Sequence, residues 1–295
     1  MMSKIQRSFI PGSEWIYIKV YTGSNTADKI LVNELAKIIS VLGRKKYIEK
    51  WFFIRYSDPD FHLRIRIRVK DCRFIGEILR LFYKYFNKLV ENDWVWKIQL
   101  DTYNRELERY KGHLMELTET LFCVDSTHTL KLLRILEDMP QSARWLIAAK
   151  MIDSLLIDFT YDLQQRKVFL ESMDKSYKME FGFNDFNTKQ LNVMYREYSH
   201  ELEEVLWSKK VDEGYKALYG ILELRSNALK TIVQQLIEAD NSKEMQILLS
   251  SYIHMMLIRL FRSKNRLYEL IVYNFMSRFY SSWIARIKYL PHAND

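Results

Sequence analysis

Every second residue from His62 to Arg68 is basic in the run FHLRIRIRV, and that spacing is the strongest chemical signal in the chain. On a β-strand, successive side chains point to opposite faces, so His62, Arg64, Arg66 and Arg68 share one face while Leu63, Ile65, Ile67 and Val69 share the other. Arginines two apart on a strand stand about 6.6 Å from each other and repel unless an anion or an acidic side chain lies between them. Guanidinium forks match carboxylate and phosphate geometry, so the stripe reads as an anion-binding floor, with a solvated strand face as the plainer alternative.

Three further stretches carry titratable groups. In DTYNRELERYKG, residues 101–112, Arg105 and Arg109 share a face if the segment forms a helical turn, with Glu106 and Glu108 as local partners. His254, in SSYIHMMLIR, falls on an apolar helix face with Ile247, Ser251, Ile258 and Phe261. Desolvation there favours a neutral imidazole that can act as a base, although a satisfied core histidine has the same pattern. In Asp125-Ser126-Thr127-His128 the hydroxyls read as helix caps, and no chemistry is assigned to the cluster. Six scattered histidines show no zinc spacing, and Cys72 and Cys123 lack a CxxC partner. No metal, cofactor or disulfide framework is therefore expected, and a reducing, cytoplasmic setting is.

The elements that would position these groups follow from periodicity. WFFIRY and FHLRIRIR flank Ser57-Asp58-Pro59-Asp60, a turn signal, and so form a hairpin. Before it, Trp15 to Tyr21 alternates as a strand and 28–42 repeats with helical period; after it come a helix over 72–89 and a strand over 94–100. The order β-α-β-β-α-β predicts an α+β chain with a ferredoxin-like antiparallel sheet in residues 1–102. Its helices would take the Leu63/Ile65/Ile67 face. From about 115 onward only helical patterns remain, with breaks at Pro140, 181–184, 208–210 and 241–242, which predicts a helical subdomain over 103–295 packed on the arginine face.

Bulk properties agree with a compact, regular protein: 48% of the 295 residues are hydrophobic, with only 8 Gly and 4 Pro. The formal charge of +8 is uneven, since residues 44–80 hold eleven Lys/Arg against five Asp/Glu and residues 254–295 hold seven against two. The rest of the chain is then acidic, and two segments are expected to meet acidic partners. The apolar stretch Trp145 to Tyr161 is interrupted by Lys150, Asp153 and Asp158, which argues against a membrane span.

Taken in order, FFIRYSDP with HLRIR, Tyr103 with Glu106 and Arg109-Tyr110, Leu121-Phe122 with Asp125-Ser126, and His254-Met255 with Arg259 resemble the glutamate-elimination domain of class I lantibiotic dehydratases, which the thiopeptide-type bacteriocin biosynthesis proteins share. Lys111 stands where that family usually carries glycine, and Ile258 where it carries asparagine. The resemblance implies that a separate tRNA-dependent glutamylation subunit esterifies Ser or Thr of a precursor peptide. This chain would then eliminate glutamate, as a lyase, to leave dehydroalanine or dehydrobutyrine. It also implies His254, Arg64, Arg66 and Arg109 as catalytic residues, and Arg55, His62, Arg68, Arg105, Tyr103 and Arg259 as substrate-binding ones, with no cofactor. Two alternatives stay open. Stand-alone homologues in the family join two dehydroalanines by formal [4+2] cycloaddition, and a basic ferredoxin-like sheet also describes an RNA-binding module, although residues 62–68 lack its glycines and exposed aromatics. Specific tRNA binding is not expected, and a homo-oligomer is left open.

Overall fold

The computed structural model describes residues 5–207, 213–240 and 244–289. Its elements in chain order are β1 (Ser8–Phe9), β2 (Trp15–Thr22), α1 (Ser24–Ile30), a π-helical segment (Leu31–Leu35), α2 (Ala36–Arg44), β3 (Ile48–Ser57), β4 (Phe61–Val69), α3 (Ile75–Glu91), β5 (Val95–Asp101), β6 (Tyr103–Asn104) and α4 (Met115–Leu136). Six helices follow: α5 (Gln141–Asp158), α6 (Leu163–Glu180), α7 (Asp185–Trp207), α8 (Glu213–Ala239), α9 (Met245–Leu260) and α10 (Asn265–Tyr289). The fold is α+β. The breaks expected at 208–210 and 241–242 lie outside the described residues.

The chain forms two compact units, one of Met1–Asp138 with Gln234–Ser263 and the other of Met139–Val233 with Lys264–Asp295. In the first, four strands pair antiparallel in the order β3-β4-β2-β5, the ferredoxin-like order, and β1 pairs with β6 in a separate two-stranded ribbon. The register sets Arg64 opposite Lys19 and Ile54, Arg66 opposite Tyr17 and Phe52, and Arg68 opposite Trp15 and Lys50. The alternate residues Leu63, Ile65 and Ile67 are buried against the N-terminal helices. Period-2 alternation therefore divides the sheet as expected, one apolar face and one cationic face.

α4 and α9 of the same unit run beside β3, the outer strand. An edge strand exposes unpaired backbone groups, and here Phe53 has both of its outward groups satisfied. Its N–H donates to Ser126 Oγ at 3.2 Å, and its C=O accepts from Arg259 Nε at 2.9 Å. Ser126 is thus in mid-helix and not a helix cap, which corrects the sequence expectation; its hydroxyl closes a sheet edge.

The second unit is helical, and several of its charged side chains are paired internally. Arg166 meets Asp153 at 2.7 Å and the Tyr280 hydroxyl at 3.0 Å, while Tyr177 donates to the buried Glu269. Among the described residues no helix is long and apolar enough to cross a membrane.

Candidate active site

Arg66 lies at the centre of the cationic sheet face, and only 9% of it is exposed. Its guanidinium carbon is 4.6 Å from the Tyr17 ring centroid, 4.9 Å from that of Tyr103 and 5.3 Å from that of Phe52. Its buried Nε has no hydrogen-bond partner, and no carboxylate lies within ion-pair distance among the described residues. Three aromatic faces, each worth about 0.5–2 kcal/mol to a cation, offset part of a desolvation cost of several kcal/mol. The remainder is an attraction for an anion.

Arg64, the next cation on this face, is held at one end. Its Nε donates to His62 Nε2 at 3.0 Å, and its guanidinium carbon stacks 3.4 Å from the Tyr56 ring centroid. His62 is 1% exposed, stacked 4.7 Å from Tyr21, with Nδ1 2.8 Å from the Asp60 carbonyl oxygen. A carbonyl only accepts, so Nδ1 carries the proton and Nε2 is the acceptor for Arg64. Burial pushes the imidazole below its ordinary pKa despite the Asp60 contact, and Arg64, Lys19 and Arg66 add to the effect. It is neutral at pH 7.

Arg109 lies on a turn over Leu107–Lys111, not on a helix, so it and Arg105 do not share a helical face as the spacing suggested. Its Nε donates to Ser251 Oγ at 3.3 Å, and its Nη1 is 3.4 Å from Glu106. Ser251 is on α9, and His254, half-buried, follows one turn later on the same helix face. Tyr110, next in sequence to Arg109, stacks on Tyr252 of α9. Burial pushes its phenol up to about 12, against the positive charges of Arg109, Arg259 and Arg66, and the Arg109 guanidinium carbon lies 5.6 Å from its ring centroid. Lys111 closes the turn with φ of +51°. A left-handed backbone costs a non-glycine residue about 1–3 kcal/mol, and here the side chain is tied to Asp240 and Glu244, both at 2.6 Å.

The other residues singled out in the sequence are bound to carboxylates. Arg68 pairs with Glu116 at 2.6 Å, and Arg105 with Glu119 at 2.6 Å and Glu116 at 2.5 Å. The Tyr103 hydroxyl donates to Glu119 at 2.9 Å while its ring faces Arg66. Arg55 is on the opposite sheet face, paired with Asp28 at 2.5 Å. Arg259, wholly buried, faces Asp125 at 3.7 Å and seals β3. The structure thus brings Arg64 and Arg66 to one face without carboxylate partners, sets Arg109 and His254 near Ser251, and gives Arg55, Arg68, Arg105 and Arg259 internal ion pairs. Sequence reasoning missed Tyr17, Phe52, Glu116 and Glu119. Tyr17 and Phe52 were recoverable, since both lie on period-2 positions of neighbouring strands.

Glu116 yields a pH prediction. Although burial opposes ionisation, hydrogen bonds and charges from Lys50 and Arg105 hold its carboxyl down at about 2. A lowered folded-state pKa contributes stability above the unfolded value of about 4.3, which is lost as pH falls toward the folded value. Denaturant unfolding of the Glu116→Gln variant should therefore show a shallower decline between about pH 4.5 and 2 than the parent. Parallel curves would show that Glu116 contributes nothing to acid sensitivity.

Comparison with known proteins now bears on this geometry. The family described as lantibiotic biosynthesis dehydratase, C-terminal, matches residues 15–280. Nisin biosynthesis protein NisB of Lactococcus lactis subsp. lactis is 28% identical over 286 residues, covering 94% of this chain and 26% of that protein. Subtilin biosynthesis protein SpaB of Bacillus subtilis is 27% identical over 264 residues, covering 88% of this chain and 25% of that one. The chain thus spans about a quarter of these relatives. In fold it is similar to the tRNA-dependent lantibiotic dehydratase MibB from Microbispora sp. 107891, with a TM-score of 0.75 and 20% identity over 95% of this chain and 29% of that one. It is also similar to the pyridine synthase TbtD from thiomuracin biosynthesis, with a TM-score of 0.62 and 13% identity over 93% of this chain and 100% of that one. With a family match over nearly its whole length and the motif residues gathered in one compact unit, the chain belongs to the lantibiotic biosynthesis dehydratase C-terminal family.

Proposed function

We propose that this chain eliminates glutamate from glutamylated Ser or Thr residues of a ribosomally made precursor peptide, leaving dehydroalanine or dehydrobutyrine. The observation that carries the reading is the pair of guanidinium groups, Arg64 and Arg66, on one sheet face without a carboxylate partner among the described residues. Glutamate departs as a carboxylate whose conjugate acid has a pKa of about 4, so the leaving group needs little protonation. The difficult step is removal of the weakly acidic α-proton, which requires a base and stabilisation of the enolate. In this reading His254 takes the α-proton, the Cβ–O ester bond breaks, and the electron pair leaves on the glutamyl carboxylate. Arg64 and Arg66 hold that carboxylate, and Arg109 stabilises charge on the peptide carbonyl.

The reading places the chain downstream of tRNA-dependent glutamylation supplied by a partner protein, in the cytoplasm, with no cofactor of its own. The likeness to a pyridine synthase supports the second reading, a formal [4+2] cycloaddition. That reaction has no glutamate to bind, so unpaired carboxylate-matching forks favour elimination. The test supplies a chemically glutamylated precursor peptide to the purified chain and follows loss of glutamate by mass spectrometry. Dehydrated product without added tRNA is expected; an unchanged ester would refute the proposal, and cyclisation of a bis-dehydroalanine peptide would establish the second reading.

A further inference from the structure

We propose that His62 is a positioning residue which fixes the guanidinium of Arg64 so that its two terminal nitrogens form the open edge for a substrate carboxylate; the identity of that carboxylate as glutamyl rests on the elimination reading. A guanidinium is planar, so two constraints suffice to fix it: one on Nε and one on its face. Both are present. His62 Nε2 accepts from Nε at 3.0 Å, and Tyr56 stacks on the face at 3.4 Å. The two terminal nitrogens have no hydrogen-bond partner among the described residues.

His62 is itself over-determined. Tyr21 stacks on it at 4.7 Å, Tyr56 meets it edge-on at 5.6 Å, and the Asp60 carbonyl holds Nδ1–H at 2.8 Å. This arrangement gives the ring no spare lone pair. Nε2 is committed to Arg64, which rules out His62 as the base for the reaction and gives it a supporting task. The task requires a neutral ring, because an imidazolium has no acceptor and would repel the cation it orients. The charged groups facing it are Arg64 and Arg66 on its own strand and Lys19 on β2, which is paired with Asp101 on β5; these cations oppose its protonation.

The probe is glutarate, a dicarboxylate with the reach of the glutamyl side chain, titrated calorimetrically into the full chain. His62→Phe keeps the ring volume and loses the acceptor, and should weaken glutarate binding about tenfold, as expected for one misoriented charge-assisted contact. His62→Gln places an amide oxygen near the Nε2 position and should recover most of that loss. His62→Asn keeps the Asp60 contact and loses the acceptor, and should behave like His62→Phe. As pH falls below the ordinary imidazole value of about 6.5, parental affinity should fall more steeply than that of His62→Gln, whose own decline reports only the protonation of glutarate.

Equal affinities for folded His62→Phe and parent, or for His62→Asn and His62→Gln, would overturn the proposal. So would nitrogen NMR showing the His62 proton on Nε2, a reading that needs no ligand and decides the matter if the parent does not take up glutarate. The glutamylated-peptide assay on the same preparations separates the two ideas. Glutarate binding without turnover by the parent would sink elimination and leave the clamp standing, whereas turnover undiminished in His62→Phe would sink the clamp alone.

Discussion

Substituting His254 by glutamine should lower the elimination rate roughly 10²–10⁴-fold, the contribution typical of a positioned acid or base, while substrate binding is little changed. Glutamine keeps most of the volume and a hydrogen-bonding group, so packing of α9 against Tyr110 and Arg109 survives and the loss is one of proton transfer. The position favours this outcome: His254 follows Ser251 by one helical turn, and Ser251 accepts from Arg109. The measurement uses preformed glutamylated peptide, so that neither tRNA nor a partner limits the rate. Turnover at the parental rate by a folded His254→Gln protein would remove the base assignment and return the histidine to a packing role.

Arg66→Met should cost activity and leave stability little changed. Loss of a charged hydrogen bond to a bound carboxylate costs about 1.5–3 kcal/mol, or roughly ten- to over a hundredfold in rate. Folding should not suffer. The guanidinium has three aromatic neighbours and no carboxylate, so relief of the several kcal/mol desolvation cost of an unpaired buried cation is set against about 1.5–6 kcal/mol of lost ring contacts, and the two largely cancel. Arg259→Met is the contrast. That change strands the buried Asp125 and the Phe53 carbonyl, and should destabilise by about 3–5 kcal/mol. Thermal melts of the two variants, set beside their turnover, test the division; a collapse of Arg66→Met comparable to that of Arg259→Met would show that Arg66 is a structural residue.

The strand order and the two-faced sheet were legible because alternation in FHLRIRIRV leaves one solution: the apolar half must meet helices. Helix spans after Met115 were legible for the same reason at period 3.6. What the sequence concealed was partner choice. Arg55, Arg64, Arg66, Arg68, Arg105 and Arg259 look alike in one dimension, yet Asp28, Glu116, Glu119 and Asp125 take four of them through contacts set by tertiary packing. Arg55 illustrates the point, since parity puts it opposite Leu63 and therefore on the helix face, away from Arg64. The turn carrying Arg109 was misread as helical because four-residue spacing in RELER satisfies a helix pattern that the left-handed Lys111 terminates into a turn.

The sealing of β3 also bears on the order in which the protein can be completed during synthesis. The outward carbonyl of Phe53 waits for a guanidinium 206 residues further on. At roughly 5–20 residues per second on the ribosome, that interval is roughly 10–40 s. For this time the sheet can already exist while its outer strand still lacks one of the groups that closes it, and an unpaired β-edge is a template for another nascent chain. Ser126, which emerges well before α9, satisfies the neighbouring N–H first and shortens the fully open phase. The late arginine then acts as the last fastener of an early structure, so truncation before α9 should yield a chain that aggregates through a sheet whose own sequence is intact.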